Sequence, residues 1–81
     1  MPSVFFTASA RKALEKLPRT DQERIGEKID LLEKGGRVDS KKLANPPNCY
    51  RIRVGDYRIL FTLVEGEATI YRIVHRKEAY R

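Results

Sequence analysis

The sequence predicts an α+β domain in which a helical hairpin packs on one face of a small, mainly antiparallel sheet. Two apolar stripes with helical spacing follow a short β-prone segment in the first half of the chain. Three segments of alternating polarity, separated by short turns, occupy the second half. The predicted order is therefore β-α-α-β-β-β, and 81 residues are the length of a single domain spanning residues 1–81.

The first half of the chain is predicted to form one strand and two helices. The run SVFF at residues 3–6 is the strand, and Thr7 is the predicted N-cap of the first helix. The apolar stripe of that helix is followed by a proline that ends it: Ala10, Ala13, Leu14 and Leu17, then Pro18. Thr20 opens a capping-box pattern for the second helix, which Gly35 and Gly36 end. The stripe of the second helix is Ile25, Ile29 and Leu32.

The second half is predicted to be a connecting loop followed by a three-stranded meander. The loop covers residues 37–48 and carries Lys41 and Lys42. The predicted strands are Tyr50–Val54, Tyr57–Val64 and Ala68–His75. A turn at residues 55–56 and another at residues 65–67 join them, and connections this short indicate antiparallel pairing.

Basic side chains are concentrated in the second half. The chain carries 17 Lys and Arg against 11 Asp and Glu, for a net charge of +6. Residues 1–40 hold eight basic and seven acidic side chains, net +1, whereas residues 41–81 hold nine and four, net +5. This asymmetry indicates one positive face suited to a polyanion such as nucleic acid. The alternative is a surface whose charge only keeps the protein in solution.

The composition argues against several other classes of protein. Hydrophobic residues are 41% of the chain and charged residues 35%, which is typical of a folded domain and not of a disordered chain. No apolar run approaches the ~18 residues of a membrane span, and the N-terminus lacks the features of a signal peptide. A cytoplasmic location without a membrane partner is therefore expected. Cys49 is the only cysteine, so no internal disulfide, metal site or cofactor is predicted.

Alternation along the meander strands predicts which side chains face the helices. They are Tyr50, Ile52, Val54, Tyr57, Ile59, Phe61, Leu63, Tyr71, Ile73 and His75. The uncovered face then carries Leu60, Thr62, Ile70, Val74 and five arginines: Arg51, Arg53, Arg58, Arg72 and Arg76. No acidic residue alternates with the arginines on these strands. Like charges directly opposite each other destabilise a sheet, so this face is predicted to bind an anion. A phosphate backbone fits best, because the guanidinium group makes paired hydrogen bonds to phosphate oxygens.

Three segments of the chain carry a resemblance to a known family. They are Lys42-Leu43, the run YRIRVGDYRIL at residues 50–60, and His75-Arg76 followed by Tyr80. On these residues and on the element order, the whole chain resembles the RelE/ParE superfamily, the toxins of bacterial and archaeal toxin–antitoxin pairs. The resemblance implies one of two activities: RelE-like members cleave messenger RNA in the ribosomal A site, and ParE-like members inhibit DNA gyrase. The short helical hairpin and the basic strand residues favour the RelE branch.

The resemblance also implies a site and a reaction. The implied catalytic residues are Arg51, Arg53, Arg58, Arg76 and Tyr80. Beside them, the basic residues Lys41, Lys42 and Arg72 are predicted to bind RNA. The implied reaction is attack of an RNA 2′-OH on its adjacent phosphate, which leaves a 2′,3′-cyclic phosphate and a free 5′-OH. Some RelE toxins have lysine at the positions of Arg51 and Arg53. Arginine stays protonated because its pKa exceeds ~12, so this chain leaves the general base open.

Two further residues have alternative roles. His75 is the only histidine, and it is expected either as a hydrogen-bonded residue on the core side or as an acid or base brought to the site by a twist at the strand end. Tyr80 is expected to stack on a base or donate a proton, or else to cover the sheet edge.

The partners that the resemblance implies are a cognate antitoxin, the ribosome and messenger RNA, with operator DNA contacted only through the antitoxin. Physical reasoning suggests an acidic, partly disordered antitoxin that folds as it binds. Two other functions stay open: a gyrase inhibitor without nuclease activity, and a plain nucleic-acid-binding module or weakened toxin.

Overall fold

A five-stranded sheet with two helices on one face forms the core of the fold. The computed structural model describes residues 3–36, 38, 40–43 and 48–79. The elements are β1 (Ser3–Phe6), α1 (Ala8–Glu15), α2 (Arg19–Glu33), β2 (Ser40–Lys42), β3 (Cys49–Val54), β4 (Tyr57–Val64), β5 (Glu67–His75) and α3 (Arg76–Ala79). The strand order is β1-β5-β4-β3-β2, with β1 parallel to β5 and every other pair antiparallel. The predicted α+β class and its mainly antiparallel sheet are confirmed.

The helical hairpin is fixed by local capping contacts. The Thr7 hydroxyl accepts a hydrogen bond from the Ala10 N–H at 3.2 Å, so the predicted N-cap is confirmed. Gly35 has φ +75°, and the Gly36 N–H reaches back to the Leu31 carbonyl at 2.7 Å. Together with the bond from the Gly35 N–H to the Leu32 carbonyl, this is a Schellman C-cap.

The predicted capping box at Thr20 is wrong. The second helix starts at Arg19, directly after Pro18, so Thr20 is already inside its first turn. The Pro18 carbonyl accepts the first helical N–H groups, those of Asp21 and Gln22. The Gln22 side chain instead donates to the Leu17 carbonyl at 2.8 Å, where it caps the end of the first helix and ties the hairpin together.

The region predicted as a connecting loop contains a strand. Residues 40–42 form β2, which pairs with β3 so that Lys41 lies opposite Arg51 and Lys42 opposite Tyr50. The sequence gives little signal for this strand, because it has three exposed polar residues and no apolar alternation. Lysines on a short strand are typical of a sheet edge. The one-turn helix α3 after β5 was also not predicted from the sequence.

The face assignment of β5 was wrong at Ile70 and Tyr71. Phe61 pairs with Ile70 and Leu60 with Arg72, so Tyr71 is an extra residue in a β-bulge. Ile70 therefore belongs to the core with 0% of its surface exposed, and alternation resumes with Ile73 on the core side. Strict alternation read from the sequence cannot anticipate the additional residue.

Buried side chains from both layers form one core. They are Ala10, Ile25, Ile29, Ile52, Val54, Ile59, Phe61, Ala68, Ile70 and Ile73. Strand register then defines the opposite side of the sheet, which we call the open face: Phe5, Lys41, Cys49, Arg51, Arg53, Arg58, Leu60, Thr62, Thr69, Arg72 and Val74. Among the described helices, none combines the length and apolar character that crossing a membrane requires.

Candidate nucleic-acid interface

The basic residues of the open face occupy two neighbouring cross-strand rows. One row, from β2 to β5, is Lys41, Arg51, Leu60 and Arg72. The other, from β3 to β5, is Arg53, Arg58 and Val74. Residues two apart on a strand are separated by about 7 Å, which is comparable to the spacing of phosphates along an RNA chain. The predicted arginine face is therefore present, although Leu60 separates Arg72 from Arg51.

Four basic side chains surround a shallow cavity of about 490 Å³, which we call the arginine cavity. They are Arg53, Arg58, Arg76 and Lys77. Arg53 and Arg58 are direct cross-strand partners, and Arg76 and Lys77 come from the first turn of α3. Several cations that line one cavity attract an anion from solution. Lys77 was missed by the sequence analysis, because its position depends on the unpredicted helix.

Arg76 has an acidic partner, contrary to the expectation for the five arginines. Its Nη1 lies 3.9 Å from Asp56 Oδ1, and its backbone N–H donates to the Asp56 carbonyl at 2.6 Å. Both side chains are more than half exposed, and such pairs contribute only ~0–1 kcal/mol to stability. Asp56 was missed because it lies in a turn and not on a strand.

A second basic cavity of about 230 Å³ adjoins the first. It is lined by Ser40, Lys41, Arg51 and Arg53, so Arg53 borders both cavities. Lys42 faces the other way, because it pairs with Tyr50 on the helix side of the sheet. The structure thus brings Arg53, Arg58 and Arg76 together and places Arg51 and Lys41 beside them. It does not bring Lys42 to this face.

His75 lies away from the arginine cavity. Its ring packs edge-to-face on Tyr57 at 5.2 Å, and its Nδ1 accepts a hydrogen bond from the Lys77 N–H at 3.2 Å. The residue borders a different cavity of about 290 Å³, lined also by Asp21, Arg24, Ile25 and residues 54–57. Of the two alternatives for His75, the structure has the core-side one, and the imidazole also holds the start of α3.

Tyr71 contacts Cys49, a residue of the open face, and the sequence does not predict this contact. Cys49 is buried, with 3% of its surface exposed, and its thiol is hydrogen-bonded to the Tyr71 side chain. Burial, followed by this bond and the charge of Cys49, raises the pKa of Tyr71 above its ordinary value, and the charge of Arg72 opposes the rise. The bulge explains the omission, since strict alternation directed Tyr71 to the core. Tyr80, the last predicted site residue, lies outside the described residues.

Comparisons with known proteins agree on one family. Residues 4–80 match the family model described as the ParE toxin of the type II toxin–antitoxin system parDE. Toxin RelE3 of Methanocaldococcus jannaschii is 35% identical over 83 residues, which are 95% of this chain and 93% of that protein. The mRNA interferase toxin RelE of Escherichia coli K12 is 26% identical over 70 residues, 84% of this chain and 74% of that protein.

The fold is also that of a solved toxin. In the crystal structure of the RelB–RelE antitoxin–toxin complex from Methanococcus jannaschii, the matching chain superimposes with a TM-score of 0.80 at 30% identity. The match covers 94% of each chain.

Proposed function

The chain belongs to the family of ParE toxins of type II toxin–antitoxin systems, and we propose that it acts as the RelE-type toxin of such a pair, an mRNA interferase that stops translation. The observation that carries the proposal is the arginine cavity, an open and wholly basic site that suits a polyanionic backbone. The similarity to a RelE toxin at 35% identity and to an mRNA interferase of E. coli supports this activity over gyrase inhibition.

The proposed reaction is transesterification within RNA in the ribosomal A site. The 2′-oxygen attacks the adjacent phosphorus and gives its proton to a base, and the bond to the 5′-oxygen breaks as that oxygen gains a proton. The products are a 2′,3′-cyclic phosphate and a 5′-OH. Arg53, Arg58 and Arg76 stabilise the negative charge that grows on the phosphate oxygens, because they surround the place where the phosphate would lie. No metal or cofactor takes part in this scheme.

An open site is sufficient for this reaction if the ribosome holds the RNA in the reactive geometry. The arginine cavity is shallow, so it holds a phosphate but offers few contacts that would bend RNA for in-line attack. The ribosome supplies that geometry, and orientation of reacting groups is worth several powers of ten in rate. A guanidinium group is a poor proton acceptor, so the general base in this scheme is a group other than Arg51 or Arg53. Tyr80 remains the proposed proton donor or the residue that stacks on an RNA base. Arg51, Lys41 and Arg72 remain the proposed contacts to flanking RNA, whereas Lys42 lies on the helix side of the sheet and is no longer proposed as one.

The proposed regulator is a cognate antitoxin, as in the RelB–RelE complex that the fold matches. A groove of about 250 Å³ lies between β1 and α1 and is lined by Phe6, Arg11, Leu14 and Glu15. We propose that apolar side chains of the antitoxin bind in this groove. The carboxylates of the antitoxin would pair with the basic side chains of the open face. Operator DNA would be bound only through the antitoxin, and the toxin would act in the cytoplasm.

The test is cleavage of messenger RNA on translating ribosomes. Primer extension should show new 5′ ends in register with the codons for the wild type. Arg58→Ala and Arg76→Ala should lower the rate at least about tenfold, because each removes a charge-assisted contact to the phosphate. Arg19→Ala is the control, since Arg19 is 93% exposed on α2 and pairs only with Glu23 in the described structure. Inhibition of DNA supercoiling with intact messenger would instead support the alternative, a gyrase inhibitor without nuclease activity.

A further inference from the structure

We propose that Asp56 is a positioning residue that holds Arg76 over the arginine cavity; the inference rests on the proposed function. Asp56 follows Gly55 in the two-residue turn between β3 and β4. It contacts Arg76 twice, once through its backbone carbonyl and once through its carboxylate, at 2.6 Å and 3.9 Å. No other residue of the described chain is seen to hold Arg76 at both its backbone and its side chain.

The backbone contact fixes where α3 begins. The first N–H groups of a helix have no partner inside it, and the Asp56 carbonyl accepts that of Arg76. The next N–H, that of Lys77, donates to His75 Nδ1, and the His75 ring rests on Tyr57. Asp56 of the turn and Tyr57, the first residue of β4, thus fix the junction that carries Arg76 and Lys77 to the cavity.

The side-chain contact opposes repulsion inside the cavity. Arg76 shares this space with Arg53, Arg58 and Lys77, and a long exposed cation would otherwise turn away from them into solvent. The Asp56 carboxylate pulls the guanidinium toward the turn and so limits where it can lie. At 3.9 Å the pair is longer than a hydrogen bond, so the N–H donors of Arg76 stay available for a phosphate.

A second cation makes the assignment specific. The Nη1 atom of Arg24 lies 3.9 Å from the position that a Cβ on Gly55 would occupy, on the helix side of the same turn. Arg24 and Asp56 border the same cavity beside His75. The ion pair that the structure shows for Asp56 is nevertheless the one with Arg76. The role of Asp56 must therefore depend on Arg76 and not on Arg24.

The first test measures cleavage by Asp56→Ala and Asp56→Asn on ribosome-bound messenger. Both variants keep the backbone carbonyl, so α3 should start at the same residue. The cleavage rate at saturating ribosomes should fall about three- to fivefold, the most that so exposed an ion pair can contribute, while the ribosome concentration for half-maximal rate stays within about 1.5-fold. Asp30→Ala is the matched control, because Asp30 is 67% exposed and pairs with Lys34 at 3.7 Å on α2. Rates equal to the wild type in both Asp56 variants would overturn the inference.

A double-mutant cycle identifies the residue through which Asp56 acts. Asp56→Ala should cost nothing further in an Arg76→Ala background, because the side chain that it positions is gone. In an Arg24→Ala background, Asp56→Ala should lower the cleavage rate by the same factor as in the wild type. An undiminished loss with Arg76 already removed would refute positioning, even if the wild type cleaves messenger as proposed.

A spectroscopic measurement keeps the inference separate from the proposed function. The Nε–H resonance of Arg76 should shift, and its order parameter fall, in Asp56→Asn but not in Asp30→Asn. An unchanged Arg76 signal would count against positioning whether or not the wild type cleaves RNA.

Discussion

At the residue scale, Arg53 has the most central position on the open face. It borders both the arginine cavity and the smaller cavity beside Lys41, and its cross-strand partner is Arg58. This position was predictable from alternation, because β3 and β4 are regular up to Leu60. The ion pair between Arg76 and Asp56 was not predictable, because the residues that a turn contacts depend on the register of the neighbouring strands.

Tyr71 gives a prediction about stability at high pH. Its pKa is raised in the folded protein, first by burial and then by the bond to Cys49, so the folded state favours the neutral hydroxyl. The stability that this contributes is fully present below the unfolded pKa of about 10 and is lost as pH rises through the higher folded value. The wild type should therefore lose more stability than Tyr71→Phe between about pH 8 and pH 11.

The measurement is denaturant unfolding of both proteins at the two pH values. The comparison cancels the titration of the other tyrosines and of the lysines, because both proteins share them. Parallel losses in the two proteins would show that Tyr71 ionises equally in the folded and unfolded states.

At the element scale, the turns and helix ends were largely predictable and the irregular elements were not. Gly55 has φ +57° at the first position of its turn, and Glu65 and Gly66 have φ +49° and +80° at both positions of the next. These signs are those of type II′ and type I′ hairpin turns. Short turns and the Schellman glycines depend on a few neighbouring residues, so the local sequence pattern is enough to predict them. The β2 strand, the β5 bulge and α3 depend on pairing with distant residues.

The bulge in β5 gives a prediction that strict alternation would reverse. Ile70→Ala should destabilise the fold by about 2–5 kcal/mol, because Ile70 is completely buried against Phe61 and the helices. Phe5→Ala is the control, since Phe5 lies opposite Thr69 on the open face and is 50% exposed. Chemical denaturation at neutral pH checks both variants. A larger loss for Phe5→Ala would mean that the register of β5 is wrong.

At the scale of the whole molecule, charge and hydrophobic contact are separated on different surfaces. The arginine cavity lies at the end of the sheet where β3 meets β4, whereas the groove of Phe6 and Leu14 lies at the β1 edge with α1. The net charge of +6 was apparent from composition, and its concentration on the open face followed from alternation. The residues that line the groove could not be predicted, because they come from β1 and α1 and the sequence does not show how these two elements pack against each other. The proposed antitoxin, if one chain is to cover both surfaces, would have to wrap around the domain.

This arrangement predicts that association with the antitoxin depends on salt. The acidic antitoxin proposed above would be steered toward the basic face over a distance of about 10 Å at 0.1 M salt, and added salt shortens that distance. The association rate with the product of the neighbouring gene should therefore fall at least about tenfold between low salt and about 0.5 M salt. Dissociation should change less, because it depends on the apolar contacts in the groove.

Stopped-flow mixing at several salt concentrations measures the association rate. Leu14→Ala serves as the contrasting variant: it should speed dissociation without altering the salt dependence of association, because Leu14 lines the groove and carries no charge. An association rate that does not vary with salt would remove electrostatic steering from the scheme. If the neighbouring gene product does not bind at all, the proposed antitoxin regulation fails, while cleavage of messenger on ribosomes would still decide the activity separately.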